Sequence, residues 1–336
     1  MDPLETIELA RALIDIDSTT GRERAAGDWL AGVLRERGYS VVEQPLARGC
    51  SNLVATLDDD PIVVLSTHYD CVPPFIPSTV RDGRLYGRGS CDAKGILATQ
   101  LAAAERLRVS GERRVGLLFV VGEERGSDGA MLANGHAPGS RYLINGEPTD
   151  SRLATSTHGV LRVRLHAHGR ACHSATPEHG VSAIDLLIDA LMRLRTLPLP
   201  SVADRGATYY TVGLIEGGVA PNVVSPHASA EIVFRIVGPA DDVLKAIGPL
   251  ASTVEIEEVL RVPWVKLHTV DGIESAAFPF TTDVPLLDRW GTPLLFGPGS
   301  ILVAHTDEEH LEMEELAGAI DTYERLVRRL MVDDQA

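Results

Sequence analysis

Apolar residues recur at helical spacing over residues 4–38, with Leu9, Leu13 and Ile16 first and then Trp29, Leu30, Val33 and Leu34, before Arg37-Gly38. The pattern predicts two helices. It then changes to short apolar runs at 51–57 (SNLVATL), 61–67 (PIVVLST), 115–121 (VGLLFVV), 141–145 (RYLIN) and 292–296 (TPLLF). A helical stretch, ILATQLAAAERLRV at 96–109, separates the second run from the third. Continuous apolar runs of this length between helices are what strands buried on both faces produce, so the main domain is expected to be α/β with a mostly parallel sheet.

The middle of the chain alternates instead. Residues 159–168 (GVLRVRLHAH), 229–237 (SAEIVFRIV) and 253–260 (TVEIEEVL) switch between apolar and polar positions, which predicts antiparallel strands with one wet face. A helix is expected over 181–197 and a shorter one at about 239–249. The β-α-β-β-α-β order fits a ferredoxin-like α+β sandwich over 158–268, inserted into a discontinuous domain made of 1–157 and 269–336.

Composition narrows the function classes. The 336 residues carry 31 Lys+Arg against 47 Asp+Glu, a formal charge of −16, which argues against a nucleic-acid partner. No apolar run reaches the roughly 18 residues of a membrane span, so no membrane partner is expected either. The start, MDPLETIELARALIDID, lacks the basic and apolar regions of a signal peptide, and the expected location is cytoplasmic. Cys50, Cys71, Cys91 and Cys172 lie far apart without a CxxC, so reduced thiols are expected rather than disulfides or a thiolate metal site.

The acids and histidines fall where such a sheet places its ligands. His68 and Asp70 follow the run at 61–67, Glu123 and Glu124 the run at 115–121, Glu147 the run at 141–145, and His305 a short loop after 292–296. Open α/β sheets bind ligands beyond the carboxyl ends of their strands, so four segments converge on one place. His68 and Asp70 are two apart and point the same way. An imidazole binds a metal through one nitrogen while a carboxylate fixes the other, which makes His68 the expected ligand and Asp70 its orienting partner. Glu123 and Glu124 are adjacent and diverge, so one can ligate while the other acts as general base. Asp92 lies in a Gly-rich loop, LYGRGSCDAKG, that lacks the spacings of phosphate-binding loops. Its sharp turn lets one carboxylate sit between two cations.

Five motifs in order, HYD at 68–70, GRGSCDAKG at 87–95, GEERGSDGA at 122–130, NGEPT at 145–149 and FGPGSILVAHTDEEH at 296–310, resemble the M20 family of dinuclear zinc aminoacylases and peptidases. The resemblance implies two zinc ions per subunit, with cobalt or manganese as substitutes. One would be held by His68 and Glu147, the other by Glu124 and His305, with Asp92 bridging. It implies Glu123 as base and proton shuttle and Asp70 as the residue orienting His68. The insert, with ACHSATPEHGVSAI at 171–184 and GGVAPNVVSP at 217–226, resembles that family's dimerisation lid. A homodimer is therefore implied, with His173 completing the neighbouring subunit's site as a donor to the tetrahedral oxyanion. Asn222 and Arg235 match lid positions that contact substrate, and Arg235 suits a bidentate grip on a carboxylate. Gly297 and Gly299 are expected to offer backbone N–H groups to that carboxylate. Cys71 and Cys91 adjoin motif residues, but no Cys/His/Asn nucleophile signature accompanies them.

The implied reaction is metal-assisted hydrolysis of an amide in an N-acyl amino acid or short peptide. The 296–310 segment and the NGEPT loop look most like the branch that deacetylates N-acetyl-ornithine or N-acetyl-citrulline in arginine biosynthesis. The alternatives are a succinyl-diaminopimelate desuccinylase, a metallocarboxypeptidase or dipeptidase, and a carrier-protein-linked lysine or ornithine hydrolase. From another class stands a noncatalytic metal-binding interaction module.

Overall fold

Helix α1 (Pro3–Ile14) begins where Asp2 and Glu5 close a reciprocal cap. Asp2 Oδ1 accepts from the Glu5 N–H and Glu5 Oε2 from the Asp2 N–H, both at 2.9 Å. Pro3 fits the first turn, where its missing N–H costs nothing. The helix buries Ile7, Ala10, Leu13 and Ile14, and α2 (Arg24–Glu36) buries Ala26, Leu30, Ala31 and Leu34, the faces expected from the spacing. These elements come from a computed structural model that describes residues 1–57 and 60–333.

Along the chain follow β1 (Ser40–Pro45), β2 (Ser51–Thr56), β3 (Val63–His68), α3 (Lys94–Val109), β4 (Val115–Val120), α4 (Asp128–Asn134) and β5 (Tyr142–Asn145). The insert supplies β6 (Gly159–His168), α5 (Ala183–Leu194), β7 (Tyr209–Gly217), β8 (His227–Ile236), α6 (Ala240–Ile247) and β9 (Glu255–Val262). The chain closes with β10 (Thr292–Leu295) and α7 (Met313–Asp333). It divides into two units. One is Met1–Thr155 with Leu267–Ala276 and Thr282–Ala336; the other is Ser156–Lys266 with Ala277–Thr281. The expected insert, 158–268, had left out 277–281.

The first unit is built on a six-stranded sheet in the order β1-β2-β4-β3-β5-β10. The pairs β3/β4, β3/β5 and β5/β10 are parallel, while β1 and β2 join antiparallel at one edge. Side chains of β3 alternate between two apolar layers. Val63 and Leu65 join the apolar layer on the side of α3 and α7, whereas Val64 joins the layer of Leu118, Ala130, Ala133 and Trp290 on the other face. Cover on both faces is why β4 and the first half of β3 read as unbroken apolar runs. Because β3, β4, β5 and β10 run parallel, their carboxyl ends open on one edge, and the residues that follow them meet there.

The second unit is a four-stranded antiparallel sheet in the order β7-β8-β6-β9 with α5 and α6 packed on one face. This is the arrangement of a ferredoxin-like β-α-β-β-α-β sandwich. Leu161, Val163 and Leu165 of β6 point to the helices, as do Ile232 and Phe234 of β8. The whole is an α/β fold with a mostly parallel sheet and a separate antiparallel one. Among the described residues no helix is long and apolar enough to cross a membrane.

Candidate metal centre

His68 ends β3, and its ring is fixed from both sides. Nδ1 lies 3.0 Å from the Asp70 carbonyl oxygen and 3.5 Å from the Asp70 carboxylate, leaving Nε2 to face Asp92 Oδ1 at 2.9 Å. Asp70 orients the imidazole mainly through its backbone oxygen. Its carboxylate accepts the N–H groups of Glu123 (3.2 Å) and Glu124 (3.3 Å), and so sets the short 3-10 turn Glu123–Arg125 that follows β4. Gly122 enters that turn at φ 80°, where a side chain would also strike Asp128 and Arg48.

Asp92 stands between two histidines. Its second oxygen, Oδ2, lies 3.3 Å from His305 Nε2, and that nitrogen is 2.9 Å from Glu124 Oε1. Glu147 arrives from the end of β5, in a turn held by the Gly146 N–H donating to the Ser66 carbonyl at 2.7 Å. Two groups of ligand atoms result, each within 4.8 Å: His68, Asp92 and Glu147, and Asp92, Glu124 and His305. They share Asp92. The two triads are the sets that the family resemblance implied.

The electrostatics fit a cation pair. Burial opposes a charge on His68, yet hydrogen bonds to Asp70 and Asp92 outweigh it and hold the imidazole well above its ordinary range. Asp92 is buried too, but His305 and His68 keep it far below the usual carboxylate range. Hydrogen bonds to Asp92 and Glu124 lift His305 to about 10. Glu147 is pushed well up, first by burial and then by neighbouring acids, and its Oε1 is buried with no hydrogen-bond partner. Burial likewise raises Glu123, with Asp283, Glu124 and Asp92 adding to the effect. A crowd of carboxylates facing two imidazoles, with the buried Glu147 Oε1 left unpaired, is the charge pattern that divalent cations neutralise. Two imidazoles and three carboxylates suit zinc, cobalt or manganese.

The protein-family model for peptidase family M20/M25/M40 matches residues 64–329. The chain belongs to that family. A probable carboxypeptidase of Aspergillus terreus is 36% identical over 96% of this chain and 85% of its own length. Among solved structures, the aminopeptidase PepT of Bacillus cereus superposes with a TM-score of 0.82 at 19% identity, covering 98% of this chain and 99% of that one. The Bacillus subtilis YXEP protein, described as a dinuclear metal-binding peptidase of the M20 family, gives 0.75 at 15% identity over 98% of both chains. This M20 chain is a dinuclear metal-dependent hydrolase.

The remaining predicted residues divide. His173 and Asn222 lie together in the second unit on exposed neighbouring segments, joined by the Ser174 N–H donating to the Asn222 carbonyl at 3.0 Å. The His173 ring accepts the Ala175 N–H at Nδ1 (3.1 Å), which leaves Nε2 as the donor. Arg235 stands on the wet face of β8, with Thr281 Oγ1 3.4 Å from its guanidinium. Gly297 and Gly299 correct the sequence reading. The Gly297 N–H donates to Thr149 Oγ1 (3.0 Å) and the Gly299 N–H to Glu315 Oε1 (2.8 Å), so neither is free for a substrate carboxylate. Gly297 is needed for another reason, since a Cβ there would collide with the Glu147 carbonyl. Cys71 is pushed up to about 12 by burial, and Cys91 well above its usual range, so neither offers a thiolate. All four cysteines are free.

Sequence reading passed over Asp283. This carboxyl is buried beside the acids of the site, its Oδ1 has no partner, and burial raises it to about 6. It follows no predicted strand and sits in no recognisable motif, so nothing in the spacing marks it.

Proposed function

We propose that the chain is a zinc-dependent carboxypeptidase-type hydrolase that cleaves the terminal amide of short peptides or N-acyl amino acids bearing a free α-carboxylate. The observation that carries the reading is the pair of triads sharing Asp92, with Glu123 unligated beside them. The relatives shift the substrate away from N-acetyl-ornithine and N-acetyl-citrulline, because the similar curated proteins are described as probable carboxypeptidases.

His68, Glu147, Asp92, Glu124 and His305 would hold the ions. When bound, a pair of such ions supplies Lewis acidity, making water nucleophilic at neutral pH and polarising the scissile carbonyl. Glu123, with its raised affinity for a proton, takes one from the attacking water and delivers it to the leaving amine. Water adds across the amide, giving one acid and one amine. His173 of a second copy donates from Nε2 to the oxyanion, Asn222 contacts the substrate beside it, and Arg235 takes the α-carboxylate in a bidentate fork.

An exposed apolar surface on the insert supports the homodimer. Ile184, Ile188 and Met192 form a stripe along α5 that is 37–56% exposed, and Leu214 and Ile215 are 57% and 63% exposed on the edge strand β7. Pairing two such edges about a two-fold axis covers both stripes.

The test is a turnover screen of dipeptides, their C-terminal amides and N-acetyl-ornithine, before and after chelation and zinc return. The proposal expects hydrolysis of free-acid peptides that vanishes with chelator, returns with zinc, and is absent for the amides. Hydrolysis of the C-terminal amides at a rate like that of the free acids, or activity indifferent to chelator, overturns it. Mixing a His173→Ala chain with a Glu123→Gln chain should restore part of the activity, and no restoration removes the shared-site role of His173.

A further inference from the structure

The loop that presents Asp92 is held by one buried carboxylate that belongs to neither triad. Glu309 is 1% exposed, and its Oε1 accepts three successive backbone donors: Gly89 N–H at 2.9 Å, Cys91 N–H at 3.2 Å and Asp92 N–H at 3.1 Å. Its Oε2 takes Arg88 Nη1 at 2.5 Å, and Arg88 is itself only 2% exposed. The Arg88 guanidinium also donates to the carbonyls of Thr306 (3.1 Å) and Pro74 (3.3 Å). At the backbone level the Gly87 N–H donates to the Glu309 carbonyl at 3.2 Å.

Loop 87–92 and segment 305–309 are far apart in sequence, yet each presents one member of the second triad, Asp92 and His305 respectively. The Arg88–Glu309 pair bonds to the first at Gly89, Cys91 and Asp92 and to the second at Thr306, the residue after His305. A carboxylate accepting several N–H groups is a strong, directional clamp, and without it three backbone donors would be left buried and unmatched.

We infer that Glu309 is a positioning residue that, paired with Arg88, sets the separation between Asp92 and His305 and thereby the capacity of the site for two ions. This rests on the two-metal reading above. Glu309 belongs to neither triad; it acts through the loop it grips.

The test measures divalent-ion binding to the metal-free full chain by calorimetry, with the visible spectrum of the cobalt-loaded protein and the thermal midpoint of the metal-free protein recorded beside it. Zinc and cobalt alone are the probes. Wild type must first bind two ions per chain; fewer than two removes the two-metal reading and, with it, the inference that rests on it, whereas two ions in wild type with two equally tight ions in Glu309→Ala removes the inference alone. Glu309→Ala should fold yet bind one ion tightly and the second about 10–100-fold more weakly, with an altered cobalt spectrum, as expected when a group supporting a ligand is lost.

Glu309→Gln faces an amide N–H₂ toward either Arg88 or the three N–H groups, so it should resemble Glu309→Ala. Pairing it with Arg88→Met removes that conflict while an amide oxygen still accepts the loop donors, and two-ion binding should return. A merely structural ion pair would lower the thermal midpoint while leaving stoichiometry and spectrum at wild-type values, and that result overturns the inference. Should Glu309→Ala not fold, Glu309→Gln set against Arg88→Met/Glu309→Gln decides: a weakened second ion in the first and two tight ions in the second support the clamp, and equal binding in both refutes it.

Discussion

At the scale of single residues, two carboxyls in the centre make opposite predictions. Glu123 is raised by burial and lies outside both triads. Glu123→Gln should therefore keep the metal content of the parent while turnover falls by about 10²- to 10⁴-fold. Metal analysis and kcat on one preparation decide this, and turnover within a few-fold of the parent removes Glu123 as the base. Asp283 concerns stability instead. Burial lifts it from its ordinary 3.8 to about 6. A carboxyl raised in the fold contributes stability that is complete below about pH 4 and is lost as pH rises through about 6. Relative to the parent, metal-free Asp283→Asn should gain about 3 kcal/mol between pH 4 and 7, from a difference of about 2 in pKa. Denaturant melts across that range read it, and a pH-independent difference contradicts it.

At the scale of elements, what a sequence reveals depends on which forces shape each segment. The doubly covered strands were legible because burial on both faces makes all of β4 and the first half of β3 apolar. The chemistry was legible for the related reason that His68, Glu124 and Glu147 stand at or just beyond the ends of β3, β4 and β5. Strand β1 was missed because only Gln44 of its six residues is buried, so no period survives. Strand β7 stayed unnamed because most of its positions are exposed and a bulge between Val212 and Leu214 breaks its alternation. Asp283 was invisible for a different reason, since a buried carboxyl outside any strand end or motif has no spacing rule, and Glu309, though inside the 296–310 motif, has no spacing that names the distant donors it receives. Lys94 is a similar case. Its Nζ is buried at the carboxyl end of α1 and donates to the carbonyls of Leu13 (3.0 Å) and Ile16 (2.8 Å), tying the start of α3 to that helix. Lys94→Met keeps the stem but leaves both carbonyls unmatched, so the chain should lose about 1–3 kcal/mol. An unchanged denaturation midpoint would show that water replaces the ammonium without cost.

At the scale of the whole molecule, the first unit assembles the metal centre and the second carries exposed apolar residues and an open strand edge. Ile188→Glu places a charge in the middle of the α5 stripe, and light scattering should then give the mass of one chain where the parent gives two. A parent of single-chain mass would end the shared-site account of His173 while leaving the metal centre untouched. The central claim is that two cations sit side by side with Asp92 between them, and anomalous diffraction from zinc-loaded crystals tests it most directly. The account predicts two peaks per chain, one ligated by His68, Asp92 and Glu147 and the other by Asp92, Glu124 and His305. One peak, or two that do not share Asp92, contradicts it.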